Sequence, residues 1–369
     1  MTPKRRKILY AASTASHLRR FHMPYIERLR ETHDVSLMGS RGEGIDFPID
    51  FAKSFFSLSN LRSIGKIRRI LKKERFDRVI VNTTLAAFLI RAAMIGMKNR
   101  PFVLNVVHGY LFAQKDTGIK AKILLFCEKL LRRQTDMIAV MNRDDLNIVQ
   151  KHRLCRGEVF FIDGMGIPDV MEIPERDAAL RATYAPNAED ILCTFVGELS
   201  GRKNQSFLIR ATEKLRAEGL PVRLLLLGEG GERENLEQEI SVLGLEDSVF
   251  LAGNREPIAP YLGVADVYVS ASVSEGLPFN VMEAMSFGLP IVMSDTKGQN
   301  DLKTDTDAAV LYPLNDTDAF CAALKGVIAK GQFGPRACEY PQLQRYRIGA
   351  VLESNMEILL KGEPHEEQA

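Results

Sequence analysis

The sequence has few cysteines and no long apolar run. Its five cysteines lie far apart and never at C-x-x-C spacing, which argues against both a disulfide framework and a cysteine-bound zinc site. The best apolar candidate, residues 85–97, is shorter than the ~20 residues that span a bilayer, and it contains Arg91. The basic start of the chain is not followed by the apolar segment of a signal peptide. We therefore expect a cytoplasmic protein without a membrane-spanning segment.

Motifs of several enzyme classes are also missing. We find no H-E-x-x-H zinc motif, no Walker loop and no Ser-His-Asp order. The acidic run at 301–307 is interpreted as a solvated loop rather than a metal site. The glycine loop at 228–235 is isolated, and the first strand of each half lacks a dinucleotide-binding fingerprint. A hydrolase, a P-loop enzyme and a dehydrogenase are therefore disfavoured, and we expect no bound metal.

The net charge of +2 conceals an uneven distribution along the chain. Residues 1–165 contain 31 Lys and Arg against 15 Asp and Glu, a balance of +16, whereas residues 166–369 carry −14. Such an asymmetry indicates that one half faces an anionic partner. Two segments, 61–78 and 119–134, concentrate the bases, and the second is amphipathic, as in helices that lie on anionic membranes. A solvated basic face is the plain alternative, and the lack of nucleic-acid motifs argues against DNA or RNA.

Short β-rich runs alternate with amphipathic helical patterns along the whole chain, which is typical of α/β folds with doubly wound parallel sheets. We predict an N-terminal domain over 1–165, a linker at 166–177 and a second domain over 178–343, with a final helix at 344–361 that packs back on the first domain. Two such Rossmann-like domains would face each other across a cleft, with ligands bound where the strands end. The predicted strands lie at 7–13, 34–40, 78–83, 102–108, 136–142, 158–164, 191–199, 222–230, 248–253, 266–272, 290–296 and 308–313.

One segment, SEGLPFNVMEAMSFGLPIVMSD at 274–295, carries a candidate phosphate site. Gly276 permits a tight turn, Pro278 suits the first turn of a helix, and the helix N-terminus attracts anions. Glu275 and Glu283 flank this start. Carboxylates beside a phosphate site accept hydrogen bonds from hydroxyl groups, which indicates a sugar and a ribose. Alternatively, the two are a helix-dipole partner and a solvated helix residue.

A second segment, TFVGELSGRKNQSFLIRA at 194–211, combines a strand, a glycine-containing loop and a helix. Arg202 and Lys203 lie in the loop after the strand, where cations can neutralise the charge of a bound anion. His17 and His108 follow predicted strands and are suited to hydrogen-bond a substrate hydroxyl or phosphate. The alternatives are a solvated loop for Arg202 and core or capping roles for the histidines.

These motifs resemble a known family. E-G-L-P-x-x-x-x-E followed by A-M-x-x-G-x-P-I-V is similar to the E-x7-E signature of retaining GT-B glycosyltransferases of the family-four type. Gly197-Glu198-Leu199 with Lys203 resembles the G-E-L-x-x-x-K-N branch, which includes capsule and exopolysaccharide transferases. Many members have Arg where this chain has Glu198, and Arg202 is a candidate replacement for that cation.

The resemblance implies a role for each candidate residue. Glu275 would contact the donor sugar, Glu283 the ribose hydroxyls, and Lys203 the diphosphate. His108 would contact the sugar or the acceptor, and His17 the acceptor, because S-H-x-x-x-F-H-x-P and H-G-x-x-F match the branch. The loop at 298–302 would line the donor pocket. The remaining candidates for nucleotide-sugar binding are Gly197, Arg202, Gly228, Arg255, Leu277, Phe279 and Asn280.

The expected function is retaining transfer of a hexosyl or N-acetylhexosaminyl group from a nucleotide-sugar donor, a UDP-sugar, to a polyprenyl-diphosphate-linked saccharide. No metal is implied. The expected partners are the donor, the lipid-linked acceptor and an anionic membrane surface at the inner face of the cell membrane, without nucleic acid. Two alternatives stay open, a UDP-sugar epimerase of GT-B-like fold and a basic nucleic-acid-binding protein.

Overall fold

The chain divides into two compact units. One unit runs to Gly166 and resumes at Tyr346, and the other comprises Ile167–Arg345. The second unit is thus inserted within the first. The computed structural model describes residues 5–52, 57–303 and 308–362.

Within the described residues, the first unit contains a seven-stranded sheet in which all neighbouring strands are parallel. Its order is β3-β2-β1-β4-β5-β6-β7. The inner strands are nearly continuous apolar runs, as expected where helices cover both faces of a parallel sheet. The strands are β1 (Lys7–Ala11), β2 (Asp34–Gly39), β3 (Phe47–Pro48), β4 (Arg78–Asn82), β5 (Phe102–Val107), β6 (Met137–Val140) and β7 (Val159–Phe161).

Helices connect these strands, and side-chain caps define where several of them begin. Thr14 accepts a hydrogen bond from the backbone N–H of His17, and Asn142 accepts one from that of Asp145. The helices up to the linker are α1 (Ala15–Phe21), α2 (Met23–Thr32), α3 (Leu58–Glu74), α4 (Thr84–Ala93), α5 (Ile119–Leu131) and α6 (Arg143–His152).

The helical pattern of the sequence predicts one helix near 17–31, whereas the structure has two helices there, α1 and α2. Pro24 lies in the first turn of α2, where its missing N–H needs no partner. A continuous helix would have required a hydrogen bond from that position. The chain therefore breaks at His22, and this break changes the direction in which the His22 ring points.

The final helix of the described chain, α13 (Ile348–Leu360), packs on the first unit. The buried guanidinium of Arg78 donates hydrogen bonds to the carbonyl oxygens of Leu359 at 2.9 Å and Lys361 at 2.6 Å. It thereby satisfies acceptors that a helix C-terminus leaves open. Asn355 donates from Nδ2 to the Tyr25 hydroxyl and to the Gly164 carbonyl oxygen, both at 2.9 Å.

The second unit contains, within the described residues, a six-stranded parallel sheet of order β10-β9-β8-β11-β12-β13. Of the acidic run at 301–307, residues 304–307 lie outside the described residues. The strands are β8 (Ile191–Val196), β9 (Val222–Leu227), β10 (Val249–Gly253), β11 (Val267–Ser270), β12 (Ile291–Ser294) and β13 (Ala309–Tyr312). The helices are α7 (Ala178–Tyr184), α8 (Gln205–Ala217), α9 (Arg233–Val242), α10 (Ala259–Val264), α11 (Phe279–Ser286) and α12 (Thr317–Ala329).

Helix α7 is an element that the sequence did not predict. Asp177 caps it by accepting hydrogen bonds from two backbone N–H groups of its first turn. Arg181 of α7 pairs at 2.7 Å with the buried carboxylate of Asp266, which fastens the helix to the sheet. The alternation of strands and helices in two parallel-sheet units is otherwise confirmed. In the described ranges, none of the helices is both long enough and apolar enough to cross a bilayer.

Candidate functional site

The two motif segments of the second unit lie side by side. Strands β8 and β11 are parallel neighbours, so the segments that follow them leave the same edge of the sheet. The Val273 N–H donates a hydrogen bond to the Arg202 carbonyl oxygen at 2.8 Å. The Asn204 side chain donates to the Ala271 carbonyl oxygen at 3.3 Å. The loop with the predicted cations and the loop with Glu275 are therefore in direct contact.

Glu275 forms ion pairs with both predicted cations. Its Oε1 lies 2.6 Å from Nζ of Lys203, and its Oε2 lies 2.6 Å from Nη1 of Arg202. The side chains of Lys203 and Glu275 are each 9% exposed, whereas that of Arg202 is 44% exposed. The structure thus brings three predicted site residues together, and we call Arg202, Lys203 and Glu275 the ion cluster.

Burial and charge pairing oppose each other in the ion cluster. Burial lowers the pKa of Lys203 below its ordinary value, although the Glu275 carboxylate favours the charged amine. Burial also disfavours the charged form of Glu275, but Lys203 and then Arg202 outweigh it and lower the pKa of this carboxyl. Glu275 is therefore ionised at neutral pH and holds both cations in place.

Gly197 and Gly228 provide space for the loop that carries Lys203. Gly228 has φ of +142°, and a methyl group there would lie 2.0 Å from the Gly197 carbonyl oxygen. A methyl group on Gly197 would lie 3.3 Å from Cε of Lys203 and 3.1 Å from the Phe195 ring. Larger residues at either position would displace this loop, so both predicted glycines have a packing role.

Helix α11 follows β11 and supplies the predicted phosphate-binding N-terminus. Pro278 occupies the N-cap and Phe279 is the first helical residue, so the proline precedes the first turn instead of lying in it as predicted. The Asn280 side chain donates to the Val196 carbonyl oxygen at 2.7 Å and to the Tyr268 hydroxyl at 2.9 Å. These bonds attach the helix start to β8 and β11, and they leave backbone N–H groups as its means of binding an anion.

Three further predicted donor residues occupy different surroundings. Leu277 is buried, Glu283 is half-buried in the second turn of α11, and Arg255 is exposed after β10. The Glu283 carboxylate is close enough to act on Tyr268, whose pKa rises mainly through burial, with a smaller contribution from this charge. The positions of these residues in the fold are thereby known, and their roles remain predictions.

The loop after β12 supports Glu275 through the backbone. The Glu275 N–H donates to the Lys297 carbonyl oxygen at 2.9 Å. Gly298 has φ of +80°, and a methyl group there would lie 2.7 Å from the Glu275 carbonyl oxygen. The buried Gln299 donates from Nε2 to the Ser272 carbonyl oxygen at 3.2 Å. Sequence reasoning missed Gln299 as a support because its spacing to Glu275 follows no local motif.

In the first unit, the structure joins His17 and His108 to a third histidine, His22. The ring centroids lie 4.7 Å apart for His17 and His108, 5.1 Å for His17 and His22, and 5.0 Å for His22 and His108. We call these residues the histidine cluster. In one continuous helix, residues 17 and 22 would point about 140° apart at 3.6 residues per turn. The break before α2 therefore explains why His22 was missed.

Hydrogen bonds orient two of the three rings. His22 Nδ1 lies 2.9 Å from the Tyr10 hydroxyl. His108 Nε2 lies 3.3 Å from Oδ1 of Asn82. The Nδ2 of Asn82 donates to the Ala11 carbonyl oxygen at 3.2 Å, so the amide presents its oxygen to His108. Nε2 of His108 is accordingly the protonated nitrogen of that ring.

All three rings are neutral at neutral pH. Burial lowers the pKa of His17 to about 4. Burial also lowers the pKa of His108, with a further contribution from His17, and that of His22, with contributions from His108 and His17. The histidine cluster can therefore accept hydrogen bonds or coordinate a cation, but it does not supply positive charge.

Comparison with known proteins shows what these features resemble. Residues 190–330, which include the whole ion cluster, match the model of glycosyl transferases group 1. A putative glycosyltransferase of Bacillus subtilis, EpsD, is 26% identical over 88% of this chain and 88% of its own length. An Escherichia coli UDP-Gal:alpha-D-GlcNAc-diphosphoundecaprenol alpha-1,3-galactosyltransferase is 24% identical over 80% of both chains.

A solved structure extends the likeness to almost the whole chain. HepE of Anabaena, determined in complex with UDP and glucose, matches with a TM-score of 0.75 at 19% identity. The match covers 96% of this chain and 99% of HepE, which confirms the GT-B fold predicted from the motifs. In its fold, its matched segment 190–330 and its relatives, the chain is similar to the GT-B glycosyltransferases of the family-four type.

Proposed function

We propose that this glycosyltransferase moves a hexosyl or N-acetylhexosaminyl group from a UDP-sugar to a polyprenyl-diphosphate-linked saccharide, with retention at the anomeric carbon. The product would serve capsule, exopolysaccharide or related glycan synthesis. The similarity to HepE, whose structure holds UDP and glucose, supports the donor class. The name of the Escherichia coli relative, which acts on a diphosphoundecaprenol-linked sugar, supports the acceptor class.

The ion cluster is the observation that carries this proposal. A departing nucleotide diphosphate gains negative charge in the transition state, and fixed cations in a buried site stabilise such charge strongly. Lys203 is buried and Arg202 is half-exposed, and both are held by one carboxylate of the chain. The N-terminus of α11 adds backbone donors for the same anion. The leaving group would thus be stabilised by groups of the chain itself.

Glu275 would also bind the donor sugar. A carboxylate has about four lone-pair positions, and the two cations use one on each oxygen. A remaining position can accept a hydrogen bond from a sugar hydroxyl while the ion pairs persist. One residue would thereby couple the placement of the sugar to that of the diphosphate-binding cations. In the same scheme Glu283 would accept hydrogen bonds from the ribose.

The histidine cluster would form part of the acceptor side. An acceptor hydroxyl is uncharged, and neutral imidazole nitrogens are suited to hydrogen-bond it. His17 and His108 are half-buried, whereas His22 is fully buried, so the cluster lies at the margin of the core. This division assigns charged groups to the anionic leaving group and neutral groups to the hydroxyl that replaces it.

Helix α5 supports association with an anionic membrane surface. Its apolar residues divide into two faces, because Ala121, Leu124 and Leu131 are buried while others are exposed. The exposed set follows the i, i+4, i+7, i+11 spacing of one helix face. It is flanked by the exposed bases Lys120, Lys122 and Lys129. The exposed set, which we call the α5 stripe, consists of Ile119 at 77%, Ile123 at 43%, Phe126 at 60% and Leu130 at 58% exposed.

An apolar stripe between lysines suits the interfacial zone of a bilayer. The apolar side chains can enter the acyl boundary, and the anionic headgroups attract the lysines. A plain solvated helix face would not expose four large apolar side chains in line. A polyprenyl-linked acceptor would be held at this same surface. We therefore assign the protein to the inner face of the cell membrane as a peripheral enzyme.

A nucleotide panel and a transfer assay test the donor and acceptor together. We expect UDP to stabilise the protein by about 2.7 kcal/mol at 100-fold excess over Kd, and labelled sugar to move from a UDP-sugar into membrane lipid extract. The anomeric configuration of the isolated product, read by NMR, tests retention. Glu275→Gln should abolish transfer, while the exposed control Glu234→Gln should leave it intact. No response to any nucleotide would refute the donor class, and interconversion of UDP-sugars without acceptor would point to the epimerase.

A further inference from the structure

The histidine cluster has the composition and spacing of a metal site. One nitrogen from each of His17, His22 and His108 can be chosen so that all three lie within 4.8 Å of one another. A Zn²⁺ ion with Zn–N distances of about 2.0–2.1 Å in tetrahedral geometry places ligand ring centroids roughly 5 Å apart. The observed separations of 4.7, 5.0 and 5.1 Å agree with that value. The ring planes are inclined by 44° for His17 and His22, 77° for His22 and His108, and 81° for His17 and His108, so none of the three pairs is stacked.

The hydrogen bonds of the rings leave the required lone pairs available. Asn82 accepts from Nε2–H of His108, so Nδ1 of that ring is the lone-pair nitrogen. The Tyr10 hydroxyl oxygen can accept from Nδ1–H of His22, and in that tautomer Nε2 carries the lone pair. A partner on the remote ring nitrogen is the usual device that fixes the tautomer and orientation of a metal-bound histidine. Tyr10 and Asn82 already occupy those positions.

Two of the candidate ligand atoms are buried without a hydrogen-bond partner. Among the described residues, none donates to or accepts from Nε2 of His17 or Nε2 of His22. Buried polar atoms are almost always paired, so two unpaired nitrogens in one cluster need an explanation. A cation coordinated by both nitrogens would give each of them a partner. Packing of the rings alone would leave both nitrogens unpaired.

We propose that His17, His22 and His108 bind one Zn²⁺ ion through Nε2, Nε2 and Nδ1, with the fourth position open to water or to a substrate oxygen. A set of three neutral imidazoles selects a borderline-soft ion over Mg²⁺ or Ca²⁺, which prefer oxygen ligands. Three protein ligands and one open position are typical of zinc sites that act on a substrate. The proposal departs from the metal-free expectation of the sequence, and it requires no step of sugar transfer.

Direct metal analysis on the untagged protein tests the site. The protein is stripped with chelator, titrated with Zn²⁺ against a chromogenic competitor, and analysed for bound metal by mass spectrometry. We expect one tightly held Zn²⁺ per chain. X-ray absorption of the wild-type zinc protein should show nitrogen and oxygen neighbours at about 2.0–2.1 Å, and no sulfur at about 2.3 Å as the five free cysteines would give.

Variants then assign the ligands. His17→Gln and His108→Gln should each weaken Zn²⁺ binding at least tenfold, whereas His152→Gln on α6 should leave it unchanged. Asn82→Ala, which removes only the partner of His108, should weaken binding by about 10–100-fold. Sulfur neighbours, or undiminished binding after both ligand changes, would overturn the proposal. So would a wild-type chain that retains no zinc, because the cluster would then be a set of neutral hydrogen-bonding rings only.

Discussion

The two halves of the chain have opposite net charges, and the charge of each candidate site does not follow the net charge of its half. The basic half of the chain, at +16 over residues 1–165, contains the uncharged histidine cluster. The acidic half, at −14, contains two cations held by one carboxylate. Net charge therefore says little about a site. What decides the charge of a buried group is whether a partner stands within hydrogen-bonding distance.

That difference follows from the way in which each unit offsets the cost of burying polar groups. The histidines become neutral, because burial lowers their pKa values and they have no carboxylate beside them among the described partners. Lys203 keeps a compensating charge in Glu275. Pairing preserves charge for an anionic ligand, and neutralisation preserves lone pairs for a hydroxyl or a metal.

Removing the lysine of the ion cluster should have the largest effect. Lys203→Ala deletes the buried cation that we propose to stabilise the leaving diphosphate, so we expect kcat for transfer to fall by about 10²–10³-fold. Steady-state kinetics with saturating UDP-sugar measures this. Lys330→Ala, on the surface after α12, is the control. A wild-type kcat in Lys203→Ala would contradict a role of the ion cluster in transfer.

Changing the α5 stripe should affect membrane association but not the ion cluster. Ile123→Ser with Phe126→Ser removes two exposed apolar side chains, and we expect vesicle binding to fall by at least about tenfold. Sedimentation with anionic vesicles measures it. Val242→Ser, which replaces a side chain 78% exposed on α9 of the acidic unit, should change nothing. Equal losses in both variants would show that the stripe has no special role.

Replacing a basic residue at the same surface should have a smaller, salt-dependent effect. Lys120→Gln removes about 1 kcal/mol of attraction to an anionic surface. Binding to anionic vesicles should weaken by roughly fivefold at low salt, and the difference from wild type should shrink as salt rises. Weakening that is independent of salt, or equal on neutral vesicles, would contradict an electrostatic role.

The smallest effect that we expect is the pH dependence of the stability contributed by the ion cluster. The pKa of Glu275 is lowered in the folded state, so its pairing stabilises the protein above its ordinary pKa of 4.5. This contribution is lost as pH falls through the lowered pKa. The Tm difference between wild type and Glu275→Gln should therefore be full at pH 7 and shrink below about pH 4.5. A difference that stays constant to pH 3 would contradict the charge-paired description.

Much of this organisation could be predicted from the sequence because it depends on local pattern. Apolar runs of four to six residues indicated the parallel strands, and the spacing of Glu275 and Glu283 marked the helix between β11 and β12. The ion cluster could not be predicted. Lys203 and Glu275 are 72 residues apart in sequence, and only the pairing of β8 with β11 joins their loops.

The histidine cluster was missed in part for a related reason. Its third member depends on a helix break that Pro24 imposes and that the apolar period of 17–31 conceals. The two faces of α5 also depend on tertiary contact. The periodicity gave its apolar residues but not which of them, such as Leu124 or Phe126, are covered by the rest of the unit.

The place where the chain leaves and re-enters the first unit allows the protein to be divided. Gly166 and Ile348 are in contact, since a methyl group on Gly166 would lie 2.8 Å from Cα of Ile348. Helix α13 is held beside this point through Asn355. A short glycine linker can therefore replace residues 167–345 without stretching either end. The first unit would then be a separate module in which zinc and vesicle binding are measured without any donor chemistry.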